Sequence, residues 1–136
     1  MITSPEEFKK LRLSENIEEQ RRSALEPAEL QTWFGVIEKY PDLKEWVAHN
    51  KTIPLEILEN LATDEDEKVK CVVARKRKIN QKIFDLLNSD KNEAVRHALI
   101  CNTKLPIELK KQIKVDDSDW LKEELNERIK TGANNI

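Results

Sequence analysis

The sequence predicts an all-α fold, a short solenoid of repeated two-helix units closed by helical caps. Three observations predict it. Charged residues make up 37% of the chain and hydrophobic ones 38%, with two glycines and five prolines, the profile of helices joined by short loops. A 26-residue period relates Val69 to Val95 and Leu121, and Ala48 to Ala74 and Ile100. Inside each period apolar residues recur at i, i+3 and i+4, as in Val69, Val72, Val73 and again in Val95, Ala98, Leu99, which is one stripe of a helix. At 136 residues the chain fits one domain with a core. Residues 1–42 read as a helical cap with a degenerate repeat, 43–119 as the repeats, and 120–136 as a closing helix and tail.

In chain order, Ser4, Pro5 and Glu7 make a capping-box start. "PAELQTWFGVIEKY" puts Leu30, Trp33, Phe34 and Ile37 on one face before Pro41 stops the helix. Leu43, Trp46 and Val47 then supply a stripe one period ahead of Val69, Val72 and Val73, which places Trp46 in the core column of Val72 and Ala98. The first helix of each unit begins at the column Asp66, Asn92, Ser118, three residue types that share a side-chain oxygen able to accept a free first-turn amide. The second helix opens at Pro54 or Pro106, where a missing N–H costs nothing, and Asn80 stands there in the middle unit. It carries the apolar columns Ile57, Ile83, Leu109 and Leu61, Leu87, Ile113. Leu121, Leu125 and Ile129 mark the closing helix, and "TGANNI" is expected to fray. One unit cannot cover its own apolar face, so units are expected to stack, with irregular ends as caps.

"WVAHNKTIPLEILENLATDEDEKVK" resembles the leucine-rich repeat variant, a HEAT-like bacterial solenoid unit. The matching positions are Ala48, Asn50, Pro54, Leu58, Leu61, Asp64 and Val69, then Asp90, Val95 and Arg96, then Asn102, Pro106 and Asp116, within residues 43–122. The resemblance implies a right-handed stack whose second helix can be a 3₁₀ turn. The chain departs from the pattern where Ile53, Ile79 and Leu105 replace threonine and where "RKRK" replaces the asparagine-containing loop. The founder's N-terminal iron–sulfur cysteine cluster has no counterpart, because neither cysteine precedes residue 71.

The 24 basic and 26 acidic side chains leave a net charge of -2, so no global field draws the chain to nucleic acid or an anionic membrane. Cys71 and Cys101 form no CxxC pair and read as reduced thiols of a cytosolic protein. "MITSPEEFKK" lacks a signal pattern, and no apolar run approaches the ~20 residues of a membrane span, so a cytoplasmic location without membrane contact is expected. Charge is local instead. The loops after the first helices read "HNKT", "RKRK" and "CNTK", and the loops before them "DEDE", "DKNE" and "DDSD". Complementation of helix dipoles accounts for such a pattern at about 0.3–1 kcal/mol per charge. The functional reading is a ridge of Arg75, Lys76, Arg77 and Lys78, extended by Lys51 and Lys104, that docks an acidic partner or phosphates. No aromatic residues interleave it for base stacking.

Assembled chemistry is not evident. Gly35 and Gly132 cannot build a phosphate cradle, and His49 and His97 are the sole histidines. His97 and Cys101 lie at i and i+4, with Cys71 in His97's register one unit earlier, but no fourth ligand has an evident position; neither metal nor cofactor is expected. Glu56 and Glu108 fall where helix-start acids are ordinary, and Trp33, Tyr40 and Trp120 lie in or near caps, where packing and partner anchoring are both open. The reading is therefore a non-enzymatic protein-interaction module that presents a rigid, charge-polarised surface, a form suited to an immunity or inhibitor protein covering a toxin's active site. A nucleic-acid-binding helical-repeat protein using the same basic loops is the alternative.

Overall fold

A computed structural model of the protein describes residues 1–134, with side chains through Thr131. Among them are ten α-helices and one 3₁₀ turn, and the sole β-type pairing is an isolated bridge between Ile2 and Ala28. No described helix is long and apolar enough to cross a membrane. The chain divides into two compact units, Met1–Leu61 and Ala62–Ile136.

The first unit contains α1 (Pro5–Leu13), α2 (Ile17–Leu25), α3 (Leu30–Lys39), the 3₁₀ turn Pro41–Leu43, α4 (Lys44–His49) and α5 (Leu55–Leu61). Helix α1 starts with a variant of the capping box: Ser4 Oγ accepts the Glu7 N–H at 3.0 Å, while the Glu7 carboxylate reaches one residue past the cap and accepts the Thr3 N–H at 3.0 Å. Asn16 separates α1 from α2 by accepting the N–H groups of Glu18 and Glu19. The core forms where α1 meets α3, with the Phe8 and Trp33 rings edge to face at 5.3 Å. Gly35 permits this approach, since a Cβ there would sit 2.6 Å from Pro5 Cγ.

Two expectations for this unit fail. The buried face of α3 is Trp33 and Val36, whereas Leu30 and Phe34 are exposed, because α1 and α5 pack on a narrower strip than the apolar residues span. Trp46 is 39% exposed rather than core, and the Arg12 guanidinium lies 3.6 Å over its ring. The short α4, entered from a 3₁₀ turn, turns Val47 and Ala48 inward and leaves Trp46 outside.

The second unit contains α6 (Glu67–Ala74), α7 (Gln81–Asn88), α8 (Glu93–Ile100), α9 (Ile107–Lys110) and α10 (Asp119–Asn134). Its capping column forms as the period predicts. Asp66 accepts from Lys68 N–H, Asn92 from Ala94 N–H, and Ser118 from Leu121 N–H. Asn80, in the proline's place, caps α7 by accepting the Ile83 N–H at 2.9 Å. Helix α8 packs against α6, α7 and α10, and its Val95, Ala98, Leu99 and Ile100 are buried. Arg96 is buried beside them at 1% exposure, its guanidinium paired with Asp117 and donating to the Lys114 carbonyl at 2.8 Å. Burial of a guanidinium is tolerable here because this fork of hydrogen bonds replaces water. The same pair holds the Asp117 carboxyl below the usual carboxylate range. Helix α9 is a single turn. The closing helix buries Leu121 and Leu125 and continues through Asn134, so most of the segment expected to fray is helical; Asn135 and Ile136 lie outside the described residues.

Candidate functional site

The basic loop of the second unit is shaped by one side chain outside it. Asn102, 3% exposed, donates its amide to the Ala74 carbonyl and to the Lys76 carbonyl, each at 2.9 Å, and its Oδ1 accepts the Lys104 N–H at 2.9 Å. One amide thereby joins the Arg75–Lys78 loop to the Lys104 loop. Turning these carbonyls inward leaves the side chains of Arg75, Arg77, Lys78 and Lys104 exposed, with Lys76 half-buried. Among the described residues none of Arg75, Arg77, Lys78 and Lys104 is held in an ion pair, so their charge faces solvent.

Lys51 occupies the same kind of turn in the first unit. There Asn50, fully buried, donates to the Ser23 and Glu26 carbonyls at 2.9 and 3.0 Å and accepts both the N–H and the hydroxyl of Thr52. Lys51 is exposed, and its N–H is fixed to the Ala24 carbonyl at 2.8 Å. Of the six predicted residues, five therefore belong to the second unit and one to the first.

Asn50 and Asn102 stand two periods apart in one column, and the position between them is Lys76. A residue type that makes buried hydrogen bonds in the flanking turns is thus replaced by a cation in the basic loop. Helix dipoles explain only part of the loop. Arg75 is the C-cap of α6, where a cation is favoured. Lys78 lies just before Asn80, the N-cap of α7, and Lys82 lies in the first turn of that helix, where the dipole disfavours cations. The first turn of α7 holds no acid, although α6, α8, α9 and α10 each have one.

The other predicted residues resolve individually. His97 and Cys101 do come together, with Sγ 3.6 Å from Nε2 and 3.8 Å from Nδ1, while Cys71 turns away and donates its thiol to the Ala94 carbonyl at 3.6 Å. Burial pushes the Cys71 thiol above its ordinary value. Among the described residues no three acidic, histidine or cysteine side chains are placed to hold a metal ion. Trp120 is exposed at its edge but packs its ring on His97 at 4.9 Å and donates Nε1–H to Glu93 at 2.7 Å. Tyr40 donates to Glu6 at 3.1 Å, which with Lys39 holds that carboxyl low, and Lys9 lies over the tyrosine ring. The partners of His97 and Cys101 on α10, Glu124 and Arg128, were not marked by the sequence; only their placement four apart on a predicted helix hinted at a shared face. The Asn50, Asn102 column was legible in the period but its two-carbonyl geometry was not. No family model, curated protein or solved structure matches the chain.

Proposed function

We propose that the protein is a non-enzymatic interaction module whose Arg75–Lys78 and Lys104 loops dock an acidic surface of a partner protein. The observation that carries this reading is the exposure of Arg75, Arg77, Lys78 and Lys104, none held in an ion pair among the described residues, on two loops that Asn102 ties together. Arg77, Lys78 and Lys82 around the start of α7 support it, since helix-dipole complementation predicts the opposite sign. On this reading the repeated helix pairs are HEAT-like units of a right-handed α-solenoid related to the leucine-rich repeat variant, supported by the capping column at Asp66, Asn92 and Ser118 and by the paired asparagines. An immunity or inhibitor protein is the role such a surface suits, because hydrolase active sites with acidic rims present the complementary charge.

The test uses the intact chain as bait in a native lysate beside an R75E/R77E/K78E variant. The proposal expects a partner that wild type retains, that the variant loses, and that moderate salt releases. Recovery of the same proteins by both, or intrinsic hydrolase activity without a partner, rejects it. Binding of polynucleotide at low ionic strength, with a steep linear loss of log affinity against log salt, would instead establish phosphate backbone as the ligand.

A further inference from the structure

A second cluster lies on α8 and α10, and the docking surface does not use it. Cys101 is half-exposed at the C-cap of α8, and its neighbours converge from three elements. His97 lies one turn back with its nitrogens 3.6 and 3.8 Å from Sγ; Arg128 on α10 points Nη2 at the sulfur from 3.8 Å. Glu124 stands 3.2 Å from His97 Nε2. A carboxylate there accepts a hydrogen bond from Nε2–H, which makes Nδ1, 3.8 Å from the sulfur, the nitrogen with a lone pair to offer. Trp120 stacked on the imidazole fixes the ring plane. Lys110 belongs to the same neighbourhood, for burial and the adjacent Arg128 push its ammonium below the ordinary value while Cys101 acts in the opposite sense. The thiol thus has a base, a group that orients the base, and the Arg128 guanidinium beside it, the kind of surroundings in which cysteines act as nucleophiles. Cys71 is a built-in comparison: it donates to a backbone carbonyl where Cys101 has an imidazole beside it, and burial raises its thiol, with Arg75 and Lys70 set against Glu67 and Asp90.

We propose that Cys101 is a site of reversible S-thiolation by small anionic disulfides. His97 takes the thiol proton, and Sγ attacks one sulfur of the disulfide. The bond from Sγ to that sulfur forms as the old S–S bond breaks. The other half leaves as a thiolate and takes the proton from His97, so one disulfide and one thiol become a mixed disulfide and one free thiol. Arg128 selects a disulfide bearing carboxylates.

The full-length protein is incubated with glutathione disulfide or with cystamine, its cationic counterpart, and modification of each cysteine is followed by peptide mass spectrometry. With glutathione disulfide, Cys101 should react at least about tenfold faster than Cys71. Glutathione disulfide should also outpace cystamine at Cys101, although the net charge of -2 favours the cation globally. Arg128→Gln should abolish that preference, Arg128→Lys should keep it, and His97→Gln should slow both reagents. Arg128 is exposed, and far-UV circular dichroism of each variant checks that the helices are intact. Equal rates at the two cysteines, cystamine as fast as glutathione disulfide in the wild type, or a folded Arg128→Gln that keeps the preference would each overturn the proposal.

Discussion

Asn102 shows what a single side chain contributes here. Its amide and carbonyl make three buried or partly buried hydrogen bonds across two loops, so Asn102→Ala strands two inward carbonyls and one N–H. The expected cost is about 3 kcal/mol, read as a lower denaturant midpoint with unchanged slope. Lys76→Asn tests the converse: Oδ1 of the new residue can brace its own turn as Asn50 and Asn102 brace theirs. Its melting temperature should hold or rise while partner retention falls, and a fall in both would show that Lys76 serves the fold. Glu26 supplies a pH signature. The Arg22 guanidinium, then the chain's amino group, hold its carboxyl down at about 2 against an ordinary 4.5. A depressed carboxyl contributes stability at pH values above 4.5, and that contribution disappears as pH falls toward about 2. Melting temperature against pH should accordingly fall less steeply in this window for Glu26→Gln.

At the level of helices, the packing of α3 on α1 can be probed at Gly35. Alanine raises helix propensity by up to about 1 kcal/mol, but its methyl would meet the rigid Pro5 ring. Gly35→Ala should therefore destabilise by about 1–2 kcal/mol in chemical denaturation. The starts of helices were legible in the sequence because they depend on one side chain and the amides next to it: Ser4, Asp66, Asn80, Asn92 and Ser118 all act where their spacing put them. Side-chain facing was less legible. Phe34 and Trp46 sit at apolar positions of the pattern yet remain exposed, since a helix has room for more apolar residues than its neighbours cover. Helix α2 also went unread as a separate element. Its break from α1 rests on Ser14 and Asn16 forming local hydrogen bonds, a signal too short to stand out in a charged stretch.

For the whole molecule, charge is balanced in sum and segregated in place. A sequence pI of about 5.8 predicts a solubility minimum near that pH, measurable by precipitation curves, whatever the local ridge binds. Which of the cations the fold leaves unneutralised was illegible, because that emerges only when Asn102 turns the loop carbonyls inward. The cluster at Cys101 was half legible: His97 came from the helical period, but Arg128 arrives from a different helix. The two sequestered asparagines also govern how the protein ages. Hydrolysis of either amide would set a new anion against a pair of backbone oxygens, damage comparable to a severe substitution. Both are clamped and shielded from water, so spontaneous deamidation in stored samples should strike the exposed Asn126 well before either of them.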